Sequence, residues 1–458
     1  MKAVILAAGR GTRLWPYSTT RNKCLLPVSN RPIAAHLVDA IIAAGVSEIL
    51  VVTGESAAEF SALFYDMPNV QIIRCQQTEG AAQTLLCARP YVEGEFAVFY
   101  GDTILSRRDA AGFLRNTVGA SVLVSKAGTP AVRHENVSCT LQDGLLTRLR
   151  IASRSEDDRY IVHAYRFSPD VFDEIERTPA YFDDLNVGVM PSRETYLASV
   201  INQRLHRGER PIAYIAQDSV FDINKPWDLL RANHAVNQWR TDSLVESVWD
   251  EGSSVSSSAR IHGSVQLGKN SRIGDGVLIE GNCIIGDNTI IENGAVIGGG
   301  TVIGNGVQIR DYCIVQSGSK GNSTIGNQCI LGHCSEIYNS LLMERVSMAH
   351  FGEFSGVIGR NTDIGAGTLI GSLRFDDGRT SHIIRGRREI PDQFANAVYI
   401  GDYNRTGVGA ILMPGVHTGA YCITGSGVLL QNDLPDRKLI MVKQETTLLE
   451  FGPEKYGL

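Results

Sequence analysis

Residues 6–14 read LAAGRGTRL, so Ala8, Gly9 and Gly11 place small residues directly after a short apolar run, and Arg13 closes the loop with a cation. Ten residues further on stands a second cation, Lys23, in a turn-forming segment. A turn of this kind exposes backbone N–H groups and lets a base and a phosphate chain approach closely. Two cations beside it suit a triphosphate whose charge must be spread while pyrophosphate departs. The loop is not a dinucleotide fingerprint, because GRGTRL lacks the third Gly, and no Gly-Lys-Ser/Thr follows to make a Walker loop. Taken singly, Lys23 also fits a solvated surface lysine, and a lone Gly-rich loop is weak.

The elements around this loop set where it must lie. KAVILAAG, EILVVTG, VQIIRC and EFAVFYGD read as buried strands, and PIAAHLVDAIIAAG and GAAQTLLCARPYV between them read as helices. Alternating strand and helix predicts a mostly parallel sheet covered on both faces, a Rossmann-like α/β domain. Ligands in such sheets sit at the carboxyl ends of strands. The Gly9–Arg13 loop follows the first strand, and Asp102 ends FAVFYGD. Asp102 alone is also an ordinary turn residue after a strand, and Asp222 an ordinary residue before the turn at Pro226.

The second half follows another rule. From Val255 an apolar residue recurs every six positions, at Ile261, Leu267, Ile273, Ile279, Ile285, Ile291, Ile297, Ile303, Ile309 and Val315. The register resumes at Ile325, Leu331 and Ile337, at Ile358, Ile364 and Ile370, and at Ile400. A six-residue period fits neither a helix nor a hairpin. It fits a parallel β-helix in which short strands turn corners and stack aliphatic side chains inside a prism, the left-handed hexapeptide-repeat pattern. The expected organisation is the α/β domain over 1–235, a linker helix over 236–252 within a helical stretch from 226 to 248, a β-helix over 253–430 and a tail over 431–458. Such β-helices serve as acyltransferases, as trimerisation posts or as spacers.

Bulk properties exclude some classes. The net charge of −6 gives no electrostatic reason to expect nucleic-acid binding. No apolar run approaches the roughly 18 residues of a membrane helix. The nine cysteines include no CxxC pair, and Cys329, His333 and Cys334 match no ordinary zinc spacing. Free thiols without an export signal predict a cytoplasmic protein.

LAAGRGTRLWP…RNKCLLPVSNRPI resembles the signature of sugar-1-phosphate nucleotidylyltransferases. YGD at 100–102 resembles the metal-binding strand end of that family, and FDINKPWDLLRAN its second metal segment. GAGTLIGSLRFDD and YIGDYNRTGVGAILMPGV in the second half are similar to the acetyltransferase region of the bifunctional sugar-1-phosphate nucleotidylyltransferase/acetyltransferases, the archaeal-type, N-acetylglucosamine-1-phosphate uridylyltransferase-like family. The resemblance implies attack by a sugar-1-phosphate oxygen on the α-phosphorus of a nucleoside triphosphate, UTP or dTTP first, with release of pyrophosphate. It implies Mg²⁺ held by Asp102 and Asp222. Arg13 would bind the departing phosphates, and Lys23 would balance charge near the α-phosphate. Leu6, Ala7, Ala8, Gly9, Gly11 and Thr12, with Gln76 and Gly80, would frame the nucleotide.

The chain departs from that pattern in places. The E-K-P segment of the family is RIASRSEDD here, with Arg154 at the Lys position, and N-A-G-x-Y is VHAYRF. Arg154 is the expected sugar-phosphate contact, and Glu194 is expected to bind the substrate as well. For acetyl transfer the resemblance implies His350, in SMAHFGEF, as base and acetyl-CoA as co-substrate. Ser372 stands where relatives carry Asn, and Arg385, Arg387 and Arg388 stand where they carry Lys, as candidate CoA-phosphate contacts. A homotrimer through the β-helix is expected with or without that activity. The alternative, from another class, is a nucleotide-sugar-binding regulatory or scaffold protein with a degenerate site.

Overall fold

The computed structural model describes residues 1–76, 80–116, 119–127, 136–151, 155–178, 196–316, 322–449 and 451–453. A nine-stranded sheet forms the first half. Its strand order is Val70–Arg74, Glu48–Thr53, Lys2–Leu6, Phe96–Tyr100, Tyr160–Phe167, Ser121–Lys126, Ile212–Ile215, Leu145–Ile151 and Val137–Gln142. The first four strands are parallel, as their near-continuous apolar runs require of strands buried on both faces. Tyr160–Phe167 then runs antiparallel to both of its main neighbours, so the sheet is mixed rather than mostly parallel. Apolar clusters cover both faces, with Leu37, Val38 and Ile41 of the helix Ile33–Ala43 on one and Val200 and Ile201 of the helix Leu197–His206 on the other.

The hexapeptide register becomes a three-faced prism. Val255 pairs with Ile273, Ile273 with Ile291 and Ile291 with Ile309, so each coil takes eighteen residues and three short strands. The inward residues from Leu267 to Leu430 form one continuous apolar cluster. At the corners, non-glycine residues with positive φ recur, among them Asn270, Asn288, Tyr312 and Gln328. The result is the left-handed β-helix expected from the period.

The helix between the two halves spans Pro226–Asp242 and stops well before the expected end of the linker. Val248–Trp249 is already a strand paired with Gln266 and Leu267, and that pairing draws the chain onto the stack ahead of residue 253. At the other end Leu439–Ile440 pairs with Ile423–Thr424, so the tail supplies a further strand.

The halves are fused by a shared core. Leu14, Tyr17, Trp227, Leu230 and Val236 of the first half cluster with Leu341, Val357, Ile384 and Tyr399 of the second. Polar bolts surround it. The Arg21 guanidinium makes a fork on the fully buried Asp402 carboxylate, with Nη2 at 2.9 and 3.0 Å from its two oxygens. Tyr17 donates to the Val357 carbonyl at 2.9 Å, and Trp15 Nε1 to Asp436 at 3.0 Å. Asn237 reaches the Asn322 and Ser323 carbonyls. The loop carrying Arg13 and Lys23 is thus held from behind by the β-helix.

One expectation is overturned. Cys75 and Cys87 are joined as a disulfide, because the chain folds back after the strand Val70–Arg74 and brings their Cα atoms within 5.9 Å. The other described cysteines are free, and of these Cys334 alone is exposed. Among the described residues no helix is long and apolar enough to cross a membrane.

Candidate functional site

The loop after Lys2–Leu6 is fixed residue by residue. Gly11 has φ +62°, and a Cβ there would stand 3.0 Å from Lys23 Cβ, so backbone and space both select glycine. Asn22 donates to the Ala7 carbonyl at 2.8 Å and accepts from Cys24 N at 2.9 Å, which turns Lys23 toward the strand ends. There its ammonium pairs with Asp102. Burial opposes the Lys23 charge, yet Asp102 outweighs it and holds the ammonium above its ordinary range.

Asp222 reaches the same place from far along the chain. The strand Phe221–Asp222 pairs antiparallel with Thr103–Ile104, opposing Asp222 to Thr103 beside Asp102. Thr103 Oγ1 donates to Asp222 Oδ1 at 2.9 Å, and His163 Nδ1 lies 3.0 Å from Oδ2. Burial alone would raise the Asp222 pKa, but His163, Thr103 and Lys23 together hold it below the usual carboxylate range. His163 Nε2 is 2.7 Å from Ser125 Oγ, so a chain Ser125–His163–Asp222 centred on the buried His163 fixes the carboxylate.

A cleft of about 1180 Å³ opens over these groups. Its wall includes Leu6, Ala8, Gly9, Gly11, Thr12, Arg13, Lys23, Gln76, Gly80, Asp102 and Asp222. Ala7 is buried beneath it, where its carbonyl takes the Asn22 bond. Arg13 Nη2 donates to Asn224 Oδ1 at 2.6 Å. Arg154 and Glu194 lie outside the described residues.

Two carboxylates beside a bound ammonium suit a hard divalent cation that completes its shell with substrate phosphates and water. Among the described residues no group of three His, Cys, Asp or Glu side chains gathers to hold a metal by itself.

The expected acetyl-transfer residues do not gather in one place within the chain. His350 is exposed on a coil corner, its ring stacked on His333 at 5.0 Å with Phe351 edge-on at 4.9 Å. Ser372 hydrogen-bonds Tyr338, whose hydroxyl also reaches Glu353 at 3.1 Å. Arg385, by contrast, stands on the wall of the nucleotide cleft. Arg388 lines an adjoining cavity of about 910 Å³ with Lys225, Arg231, Asp222 and His163. Arg387 is exposed on the same hairpin.

Sequence reasoning missed His163, Asn224 and Ser125. The one available signal for His163 was a histidine inside the apolar run IVHAYRF. Asn224 carried none, since its partner Arg13 is 211 residues away.

The fold and cleft define a class, a nucleotidyltransferase domain joined to a hexapeptide-repeat transferase domain. The family described as MobA-like NTP transferase domain matches residues 3–177, and bacterial transferase hexapeptide (six repeats) matches residues 264–299. The Bifunctional protein GlmU of a Methanococcus maripaludis strain is 30% identical over 458 residues, covering 98% of this chain and 99% of that protein. The Methanocaldococcus jannaschii protein of the same name is 27% identical over 451 residues, covering 97% and 98%. A bifunctional sugar-1-phosphate nucleotidylyltransferase/acetyltransferase of Sulfurisphaera tokodaii is 26% identical over 439 residues, covering 95% and 98%. The chain belongs to this GlmU family of bifunctional nucleotidylyltransferase/acetyltransferases.

Proposed function

We propose that the first domain transfers a nucleotidyl group from UTP or dTTP to a sugar-1-phosphate and releases pyrophosphate. The observation that carries this reading is the convergence of Arg13, Lys23, Asp102 and Asp222 on one cleft beside the small-residue loop. In-line displacement at phosphorus asks the protein mainly for positioning and charge compensation. Thr12 and the Gly9–Gly11 backbone hold the phosphate chain, Arg13 takes the departing end and Lys23 faces the α-phosphate. Asp102 and Asp222 would hold Mg²⁺, which supplies electrostatic stabilisation of the oxygens that gain charge. An ion held there would compete with Lys23 for Asp102, so the Lys23 ammonium would be available to substrate phosphate. Gln76 and Gly80 would border the base, Arg154 would bind the sugar phosphate, and Glu194 would be a further substrate contact.

The second proposed activity is acetyl transfer from acetyl-CoA to an amino-sugar phosphate with His350 as base, supported by the exposure of its ring. A competing reading leaves the β-helix as an oligomerisation post. The location of Arg385 and Arg388 beside the first site, away from His350, favours it. In both readings the chain works as a homotrimer. The outward column Leu369, Ile411 and Leu429 on one face of the last coils supplies apolar surface for such contacts.

The test is a panel of triphosphates and sugar-1-phosphates with Mg²⁺, read by pyrophosphate release. One productive pair is expected. No pyrophosphate from any pair with folded protein defeats the nucleotidyl reading and leaves the nucleotide-sugar-binding scaffold. Thiol release from acetyl-CoA tests the second activity.

A further inference from the structure

The strands His382–Ile384 and Arg387–Glu389 form an antiparallel hairpin that leaves the β-helix and closes through Arg385 and Gly386. Both tip residues have positive φ, 50° and 79°, the two-residue turn whose twist matches a hairpin. An isolated two-stranded hairpin is marginal in water. This one is anchored at its base. Glu389 pairs with the buried Lys225, and Ile384 enters the core shared by both halves, beside Leu14 and Trp227. His382 Nε2 donates to the Ala395 carbonyl at 2.8 Å, which leaves Nδ1 to accept from His417 Nε2 at 3.0 Å. The His382 ring also lies 5.1 Å from Trp227. The tip is therefore aimed, and it is aimed into the first domain's cleft, where Arg385 shares the wall with Arg13, Lys23 and Asn224.

Two of the neighbouring cations are engaged. Lys23 pairs with Asp102, and Arg13 donates to Asn224. No carboxylate among the described residues pairs with Arg385. Arg10, Arg13, Lys23 and Arg385 face Asp102 and Asp222 across the cleft, so positive charge is in excess where a phosphate chain would lie. The hairpin anchor fixes the side of the cleft. Lys225, which holds Glu389, directly follows Asn224, which holds Arg13.

We propose that Arg385, a residue of the β-helix domain, is a phosphate-binding residue of the nucleotidyl-transfer site. It grips the β,γ-phosphates of the triphosphate together with Arg13 and stays on the departing pyrophosphate. A guanidinium fork matches two phosphate oxygens at once, which a lysine does not. The consequence is that the first active site is completed by the second domain. This rests on the nucleotidyl-transfer reading above.

The test uses the full chain. Arg385→Ala, Arg385→Lys and a control on the same hairpin, Ile383→Ala at an exposed position, are compared with wild type for the KM of the triphosphate, the KM of the sugar-1-phosphate and the affinity for Mg²⁺-pyrophosphate by calorimetry. Thermal melts verify folding. Loss of one charged bidentate contact predicts a rise of about 10- to 100-fold in triphosphate KM and pyrophosphate Kd for Arg385→Ala. Arg385→Lys falls between, and Ile383→Ala and the sugar-1-phosphate KM stay near wild type. The inference is overturned by unchanged pyrophosphate affinity in Arg385→Ala, by a defect confined to the sugar-1-phosphate, or by an equal loss in Ile383→Ala. If wild type turns over no substrate pair, the nucleotidyl reading fails, yet the calorimetry still decides Arg385. A wild type that binds no pyrophosphate sinks both.

Discussion

The cleft over Asp102 and the corner at His350 belong to one chain but are built differently. In the cleft, side chains from widely separated segments meet, and Asp102, Asp222 and Arg13 each have a partner that aims them, in Lys23, His163 and Asn224. At the corner, His350 stacks on His333, and no described residue hydrogen-bonds its ring. Aimed, partnered groups in a concave site are what electrostatic catalysis requires. An unbraced histidine needs something else, a bound substrate or a neighbouring protomer, to become a positioned base. The difference ranks the two proposed activities.

The sharpest way to break that ranking is Asp102→Asn. It should lower pyrophosphate release by about 10³-fold, on the scale of losing a principal electrostatic contact, and leave any thiol release from acetyl-CoA unchanged. Equal loss of both activities would mean that the two sites are coupled rather than distinct. Next is Asp402→Ala at the joint between them. Removing Asp402 leaves the largely buried Arg21 with only Glu344 at 3.5 Å among the described residues and should destabilise the fold by about 3–5 kcal/mol in denaturant titration. It should also slacken the Arg13–Lys23 loop and raise the triphosphate KM before it touches the coils near His350. A loss of stability with unaltered KM would show that the loop needs no support from behind.

His350→Ala sharpens the comparison from the other side. Acetyl transfer should fall by about 10²-fold or more if the ring is the base, while nucleotidyl transfer holds. Unchanged thiol release would remove His350 from the mechanism.

The last test is a pH dependence at the domain boundary. Burial lowers the pKa of His36 and of His234 to about 4, and that of His417 to about 3, and it lowers that of His382 as well. A folded-state pKa below the unfolded value of about 6.5 means that the unfolded chain takes up protons the fold refuses. Stability from these groups is complete above that value and falls as the pH drops through it, by up to about 1.4 kcal/mol per pH unit for each proton. Asp228, raised to about 6 by burial, acts in the opposite sense for one proton. Melting temperature should therefore decline between pH 7 and pH 5. A flat profile would mean that the boundary admits water.

Much of this was legible in the chain. The Ile273–Ile279–Ile285 register announces the prism because six-residue spacing leaves no other way to bury every hit. The small residues before Arg13 announce a phosphate loop because only they leave the backbone open. Arg385 was legible as a cation in a loop and was assigned to the wrong neighbourhood. Its neighbours in sequence, Arg387 and Arg388, say nothing about a hairpin anchored on Lys225. The Cys75–Cys87 bond was equally hidden, since a twelve-residue separation carries no pairing rule.

The sequence by itself determined the local geometry. Period, turn residues and buried runs act over a few residues, and they specified the α/β half, the coils and the cradle. Only the tertiary structure decided which charges meet. The distance between Asp102 and Asp222, the partners of Arg13 and the reach of Arg385 all depend on a core shared by both halves. Electrostatic pairing acts over a few ångströms in space, and one-dimensional spacing does not encode that distance.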